Sequence, residues 1–431
     1  MDNILAMILA GGREKRMGII CQHKAKPALT FAGAVRVLDF TLSNCVHSLV
    51  SDIAVLTDFQ RNIMAGYLKR WATTNGGAVN FHVLEPGRGS YLGTADAVYQ
   101  NIDFLEKDAS DLVMVLAGDH IYKMDYQRMA AYHRRTGADA TVAVVSVPLE
   151  EAYRFGIVTV DGRVKITGFE EKPEIPRGNL ASMGIYIFNK RVLIKRLIED
   201  AALSDSPHDF GQAVIPDMIK RDQVAAYKFS GYWRDIGTLQ AYYDSNMELL
   251  PQKSSFSFNG TRTVLTVPNP ASPPRISRQG SVQNSLVGLG CVIKGRVENS
   301  VLSPGVRVEE EAVVRNSVIM ANASVGYHSV IDSCILGESV EVGRLCYLGF
   351  GGNVIPGEWE VTVLGDGVTV PPHTAIGRNC MILPHSGPDD FLRKVVPANS
   401  IVPEPSVSMP FPAHEKRDGV FRYVSKSVST L

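Results

Sequence analysis

Beyond Arg275, aliphatic residues recur six apart in short series. The series are Leu286 and Val292; Leu302, Val308 and Val314; Ile319, Val325 and Ile331; and Leu336, Val342 and Leu348. After an insertion around residues 349–360 the period resumes at Leu364, Val370, Ile376 and Ile382. A spacing of six matches neither a helix nor a flat strand, and antiparallel sandwich strands would alternate with period two. It predicts a coil of short strands, each sending one aliphatic side chain inward and turning at a small residue such as Gly288, Gly326, Gly343 or Gly377. The expected unit is a left-handed parallel β-helix over residues 276–385, followed by an extension over 386–431. Stacks of this kind often mediate oligomers.

Residues 1–250 follow a different rhythm. Short aliphatic runs, Ile53-Ala-Val-Leu-Thr, Leu112-Val-Met-Val-Leu-Ala and Ala140-Thr-Val-Ala-Val-Val, read as buried strands. Helix-like stretches such as Ala95–Phe104 and Tyr126–Thr136 lie between them. This alternation predicts an α/β domain with a mostly parallel sheet and helices on both faces. Residues 251–275, rich in Ser, Thr, Asn and Pro, read as a linker.

At 431 residues the chain is long enough for two or three full cores. Lys plus Arg and Asp plus Glu both number 44, so no global field draws the chain to nucleic acid or an anionic membrane. Six cysteines lie without metal-ligand spacing, as expected of free thiols in a reducing compartment. No run approaches the roughly 18 apolar residues of a membrane span, and no secretory leader is evident. A soluble cytoplasmic protein is the expectation.

Chemistry concentrates in a few segments. The opening run from Ile4 breaks at Gly11 and Gly12, and five cations follow: Arg13, Lys15, Arg16, Lys24 and Lys26. A buried strand ending in a glycine turn exposes backbone N–H groups at the edge where open α/β sheets bind ligands, and cations there suit a polyphosphate. A solvated basic loop is the alternative. Asp119, directly after the strand at 112–116, points toward the same crevice and could hold a hard cation such as Mg²⁺. A turn or helix-capping role is its alternative, and His120 beside it stays open between both. Gly93 and Thr94 open a helix, with Thr94 as the expected cap and a helix start that can face an anion or a base; ordinary capping is the alternative. Lys172, just before Pro173, is expected in a rigid extended position where it could meet a sugar phosphate; a merely solvated lysine is the alternative. Asp235, among aromatics, is a second carboxylate for a cation. Neither a Walker motif nor a dinucleotide GxGxxG fingerprint is present.

These segments occur in a fixed order: Leu9-Ala-Gly-Gly with Arg16, Ala25-Lys-Pro-Ala, Arg36-Val-Leu-Asp-Phe-Thr-Leu-Ser-Asn-Cys, Gly93-Thr-Ala-Asp-Ala-Val, Gly118-Asp-His-Ile-Tyr, Glu170-Glu-Lys-Pro, Ala181-Ser-Met-Gly-Ile-Tyr and Tyr232-Trp-Arg-Asp-Ile-Gly-Thr. In this the chain resembles the bacterial glucose-1-phosphate adenylyltransferase (ADP-glucose pyrophosphorylase) family. The resemblance implies a Rossmann-like nucleotidyltransferase domain joined to a left-handed β-helix, making ADP-glucose and pyrophosphate from ATP and glucose 1-phosphate for glycogen or another α-glucan. It implies Arg16, Lys26 and Asp119 as catalytic residues, and Mg²⁺ on Asp119 and Asp235. Gly11, Gly12, Tyr91, Gly93, Thr94 and Gly118 would bind the nucleotide. Gly156, Glu171, Lys172, Ser182 and Tyr186 would bind the sugar phosphate. An allosteric metabolite effector and a homotetramer, or a hetero-oligomer with a paralogue, are implied as well.

The chain departs from the family pattern in three places. Its loop reads Gly-Gly-Arg-Glu-Lys-Arg-Met where Gly-Gly-x-Gly-Thr-Arg-Leu is usual, so Glu14 replaces a glycine expected close to phosphates. Lys24 replaces an arginine, and Glu85-Pro-Gly-Arg-Gly-Ser stands where Gln-Gln is expected. Three readings therefore remain at this point: the adenylyl transfer, the same chemistry with another base or sugar, and a catalytically weak regulatory subunit. No histidine constellation in the β-helix points to an acetyltransferase.

Overall fold

The computed structural model describes residues 3–11, 15–22, 24–58, 60–75, 79–87, 89–162, 164–252, 256–258, 262–351 and 360–403, and the strand backbone at 414–417 and 420–423. Of residues 15 and 16 it describes the backbone only.

The N-terminal domain is built on a nine-stranded sheet. Strand β1 (Ile4–Leu9) lies parallel between β4 (Asp52–Leu56) and β6 (Leu112–Ala117), and β5 (Asn80–Leu84) pairs parallel with β4. A short hairpin, β2 (Thr30–Phe31) and β3 (Val35–Arg36), intervenes in the chain. On the other flank β11 (Leu180–Asn189) runs antiparallel to β6, to β8 (Ala140–Ser146) and to β9 (Gly156–Val160). The sheet is completed by β10 (Ile166–Glu171), antiparallel to β9, and by β12 (Val224–Lys228), parallel to β8. The sheet is thus mixed, and its parallel half contains the strands that end in Leu9, Leu56 and Ala117, which lie in register. A separate two-stranded ribbon joins β7 (His120–Tyr122) to β13 (Trp233–Asp235).

Alternation along β1 explains why both faces are covered. Ile4, Ala6 and Ile8 join one core with α1 (Val37–His47), α2 (Arg61–Thr74) and, through Met129 and Ala130, α5 (Tyr126–Thr136). Leu5 and Met7 join another with α3 (Thr94–Tyr99), Leu105 of α4 (Ile102–Lys107), α6 (Lys190–Ala201) and α7 (Ile215–Arg221). The helix predicted over Ala95–Phe104 is therefore two short helices, broken at Gln100 and Asn101.

The C-terminal domain consists of parallel strands in three sheets, the architecture of a left-handed β-helix. Each three-member series forms the three sides of one coil; Leu286 and Val292 supply two sides of an earlier one, and Ile382 opens the coil after Leu364, Val370 and Ile376. Leu302 stacks on Ile319, Ile319 on Leu336, Leu336 on Leu364 and Leu364 on Ile382. Val308, Val325, Val342 and Val370 form a second column, and Val314, Ile331, Leu348 and Ile376 a third. Corners fall where small or polar residues accept positive φ, as at Asn299, Asn316 and Ser333. The ladders continue beyond residue 385, through Val395–Val396 and Ile401–Val402. The predicted end fell short because a 3₁₀ turn at Pro388–Asp390 interrupts the period. Farther on, His414–Arg417 and Val420–Tyr423 form a hairpin. The insertion at 352–359 lies outside the described residues.

The linker packs rather than dangles. Leu265 and Val267 pack on the core behind β1, and Phe256 and Phe258 meet Phe40 at ring distances of 6.0 and 6.2 Å. These rings belong to a cluster that fuses the domains, running from Met17, Ile20 and Phe31 to Val318, Ile335 and Val363 of the β-helix. Gly33 has φ of 69°, and a Cβ there would stand 2.6 Å from the Leu302 carbonyl oxygen. Only glycine lets the hairpin tip approach that closely.

Asp39, wholly buried on α1, accepts hydrogen bonds from the Tyr67 hydroxyl at 2.6 Å and the Arg36 N–H at 2.8 Å. Burial nevertheless pushes its carboxyl up to about 6 from 3.8. Because the folded value is the higher one, the protonated group's stability is fully present below the unfolded pKa and is lost as pH rises through about 6. Asp39→Asn, whose amide can donate to Tyr67 and accept from Arg36, should remove roughly 1–3 kcal/mol of this pH dependence. Denaturant unfolding at pH 5 and pH 7.5 checks this; parallel pH responses in variant and wild type would refute it.

Candidate active site

The carboxyl ends of the parallel strands meet at one crevice. Gly11 follows β1 and lies against the loop after β4: a Cβ on it would be 2.9 Å from Asp58 Oδ1. Gly118 follows β6 and packs on the end of β1, its N–H donating to the Leu9 carbonyl at 3.0 Å. That amide is therefore already used, and the part of Gly118 is to leave room. Asp119 comes next, and the β7–β13 ribbon sets His120 opposite Asp235. One oxygen or nitrogen from each of Asp119, His120 and Asp235 lies within 4.8 Å of the others.

Into this group comes Lys26, only 5% exposed. Its Nζ lies 2.5 Å from Asp119 Oδ2 and 3.6 Å from Asp235 Oδ1. Burial alone would raise the Asp119 carboxyl, but the Lys26 ammonium overrides it, and the acid is held down to about 2. Asp119 is therefore ionised throughout the neutral range. His120 Nε2 stands 3.5 Å from Asp119 and 3.8 Å from Asp235, while its buried Nδ1 has no hydrogen-bond partner among the described residues. The ring packs edge-to-face on Trp233 at 5.3 Å, and Trp233 on Phe155 at 5.3 Å.

That aromatic row leads to a second cluster. The Glu171 carboxylate is wedged between backbones: a Cβ on Gly156 would lie 2.7 Å from its Oε2, and one on Gly211 2.6 Å. Lys172 Nζ pairs with Glu171 at 3.0 Å. Lys172 is half exposed and has φ of 47°, so the extended backbone expected before proline is not adopted. Its N–H is drawn to the Phe155 carbonyl, 3.1 Å away, at the end of the β9–β10 ladder. Tyr186 stacks on Phe210 at 5.6 Å, and its hydroxyl, hydrogen-bonded to Ser182, is raised by burial. Between Ser182 and Tyr186 the ladder slips at Gly184, whose φ is 62°. A Cβ at Gly184 would be 3.5 Å from the His120 ring, so the bulge joins the two clusters.

Tyr91, Gly93 and Thr94 form the adjoining wall, with one revision. Gly93, not Thr94, caps α3, and Ala95 and Asp96 donate their N–H groups to the His208 carbonyl at 2.9 and 3.1 Å. Two N–H groups of the helix start are thus taken by the protein. The Thr94 hydroxyl instead donates to Asp209 at 2.8 Å and accepts from the Phe210 N–H. The Tyr91 hydroxyl accepts from Asn101 at 3.1 Å.

Lys24 also differs from expectation. It turns away from the loop, pairing with Glu338 at 2.8 Å and Asp366 at 2.9 Å on the β-helix. Gly12, Arg13, Glu14 and the side chains of Lys15 and Arg16 lie outside the described residues. Sequence reasoning did not single out His208, Asp209 and Gly211. Asp209 caps the next helical turn through Gly211 and Gln212, and an acidic residue after Ser-Pro-His at a helix start was the available signal.

Two family models match the chain: "Nucleotidyl transferase" over residues 5–252 and "GlmU-like, C-terminal hexapeptide" over residues 272–370. The glucose-1-phosphate adenylyltransferase of Acetivibrio thermocellus is 42% identical over 90% of this chain and 95% of its own. This chain belongs to the glucose-1-phosphate adenylyltransferase family. Two other members agree. The Fervidobacterium nodosum enzyme is 39% identical over 93% of this chain and 98% of its own, and that of Halalkalibacterium halodurans 45% over 71% and 82%. Within this family frame the crevice, with Lys26, Asp119 and Asp235, is the candidate active site.

The tightest packing around it is at Gly93, where a Cβ would stand 2.4 Å from the His208 carbonyl oxygen and 2.6 Å from that of Pro207. Gly93→Ala should push the 207–209 loop away and cost about 1–3 kcal/mol. An unchanged denaturation midpoint in the variant would show that the loop yields freely.

Proposed function

We propose that this chain catalyses the reaction for which its family is named, adenylyl transfer from ATP to glucose 1-phosphate, releasing pyrophosphate and ADP-glucose. The observation that carries the reading is likeness to glucose-1-phosphate adenylyltransferases along 90% or more of the chain. The charge cluster at the carboxyl end of β1 and β6 supplies chemistry suited to it. In the proposed reaction an oxygen of the sugar phosphate attacks the α-phosphorus of ATP in line, and pyrophosphate departs from the opposite side. Such transfers ask the protein for position and charge rather than covalent help. Lys26 is held rigid by two carboxylates and would meet the charge developing on the phosphates, with Arg16 as its expected partner. Asp119 and Asp235 are oxygen donors already sharing one cationic group, and they fit Mg²⁺, which when bound would supply neutralisation of phosphate charge.

The remaining roles follow from placement. Gly11, Gly12 and Gly118 would leave room for the triphosphate, and Tyr91, Gly93 and Thr94 would form the wall against the nucleotide. Glu171 would accept hydroxyls of the glucose, Ser182 and Tyr186 would border it, and Gly156 keeps Glu171 in place. Lys172 would meet the sugar phosphate. We further infer cytoplasmic glycogen or α-glucan synthesis, control by a metabolite effector, and assembly as a homotetramer or with a paralogue. Exposed Tyr327, Leu345, Tyr347 and Val395 on the β-helix favour assembly, and no described helix is long and apolar enough to cross a membrane.

Pyrophosphate release from purified protein, given each nucleoside triphosphate with glucose 1-phosphate, with and without Mg²⁺, tests the reading. Turnover with ATP supports it; turnover only with another nucleotide, or none, refutes it. Asp119→Asn and Asp235→Asn should each lower kcat by ~100-fold or more with the fold intact, since an amide is a poor ligand for a hard cation. Near-wild-type rates at low Mg²⁺ would remove that carboxylate from the metal site.

Lys172→Ala should raise KM for glucose 1-phosphate far more than KM for ATP, because its charge would face only the sugar phosphate. An equal rise in both constants would take Lys172 out of that role.

A further inference from the structure

Three side chains outside the crevice, Asp200, Ser206 and His208, are joined in a closed set of hydrogen bonds. Asp200 is buried near the end of α6. Its Oδ1 accepts the Ser206 hydroxyl at 2.6 Å, and its Oδ2 accepts the His208 Nδ1–H at 3.0 Å. The Ser206 oxygen in turn accepts the His208 N–H at 3.0 Å. Both carboxylate oxygens are used, and His208 is gripped by its side chain and its backbone at once. Hydrogen bonds accepted by a carboxylate are stronger than those between neutral groups. The Leu203 N–H already closes α6 by donating to the Asp200 carbonyl at 3.0 Å, so the Asp200 side chain is not needed to end the helix.

What this set holds lies on the substrate side. His208 has φ of 50°, in the left-handed region that histidine enters more readily than most residues. In that conformation its carbonyl receives the Ala95 and Asp96 N–H groups, directly after Thr94. Asp209 then takes the Thr94 hydroxyl on Oδ2 at 2.8 Å, and the Phe210 N–H donates to the same hydroxyl at 3.0 Å. Phe210 stacks on Tyr186, and Gly211 backs the Glu171 carboxylate. Within four residues, 208–211, the chain therefore supports Thr94 on one wall and Tyr186 and Glu171 on the other.

We propose that Asp200 and His208 are positioning residues for the adenylyl transfer. Their bond fixes the segment 208–211 and, through it, the placement of the nucleotide wall relative to the glucose pocket. The inference rests on the function proposed above. In-line transfer needs the reacting atoms of two substrates held at one separation and angle, and this segment is shared by both subsites. Neither residue is asked to touch a substrate. Loosening their bond should therefore weaken both ligands together, whereas damage within one subsite would weaken one.

His208→Gly and His208→Asn separate the side-chain bond from the backbone that carries it. Glycine and asparagine both accept positive φ, but only asparagine keeps an N–H donor for Asp200. Titration calorimetry on the full chain with Mg²⁺ measures two affinities. One is for an ATP analogue with a methylene bridge between its α and β phosphates, and the other is for glucose 1-phosphate in the presence of that analogue. Thermal melting establishes that each variant is folded at the assay temperature. His208→Gly should weaken both ligands by about tenfold or more, and His208→Asn should bind both within about threefold of wild type. Asp200→Asn, whose amide offers one acceptor oxygen to two donors, should reproduce the paired loss and serves if His208→Gly melts too low. Wild-type affinity in the folded His208→Gly or Asp200→Asn variant, loss of one ligand alone, or equal loss in His208→Gly and His208→Asn would overturn the proposal and leave the adenylyl-transfer reading standing. A wild-type chain that binds neither ligand would refute that reading, and this proposal with it.

Discussion

The ammonium of Lys26 between Asp119 and Asp235 is the interaction on which the crevice depends. A buried lysine is tolerated only when opposite charge and good geometry replace its lost hydration. Here the replacement comes from two distant segments, one after β6 and one on β13, each fixed by strand pairing. Removing the lysine would leave two carboxylates and a histidine crowded within 4.8 Å, which is unfavourable without another cation. The lysine and the two carboxylates therefore hold one another in a fixed geometry.

The β-helix takes part in holding that lysine. Lys24, two residues earlier, is anchored by Glu338 and Asp366. Asp366 also accepts the Glu338 N–H at 2.8 Å, which orients it. Around this point Met17, Ile20 and Phe31 share one apolar cluster with β-helix residues. The basic segment is therefore clamped between the domains at Lys24 and carries its charge into the crevice at Lys26. Of the two cations in this stretch whose side chains are described, Lys24 serves the domain interface and Lys26 the crevice.

Patterns with a short period were legible in the sequence. The six-residue spacing gave the β-helix because each coil repeats the same local geometry, and the strand after Asp111 announced Asp119 because side chains just past a parallel strand face the crevice. What escaped depends on contacts between remote segments. Thr94 looks like a cap by every local rule, yet the His208 carbonyl takes the helix start and frees its hydroxyl for Asp209. Lys172 precedes a proline, yet a ladder bond to Phe155 outweighs the local preference for extended backbone. The wedge of Glu171 between Gly156 and Gly211 joins positions 55 residues apart, beyond the reach of any local pattern.

Equal totals of 44 acidic and 44 basic residues conceal this segregation. Screening at physiological salt limits exposed charges to about 8 Å of influence, so ligands respond to local clusters and not to the sum. At the crevice two carboxylates oppose one described cation, whereas Lys123, Arg128, Lys228 and Arg262 surround the single carboxylate of Asp125. A three-residue strand separates them. One chain with no net charge can therefore carry clusters of opposite sign close together. Backbone pairing keeps them apart: the β7–β13 ladder holds Asp235 across from His120, while the linker carbonyls at Ser257 and Phe258 hold Lys123 on the other side.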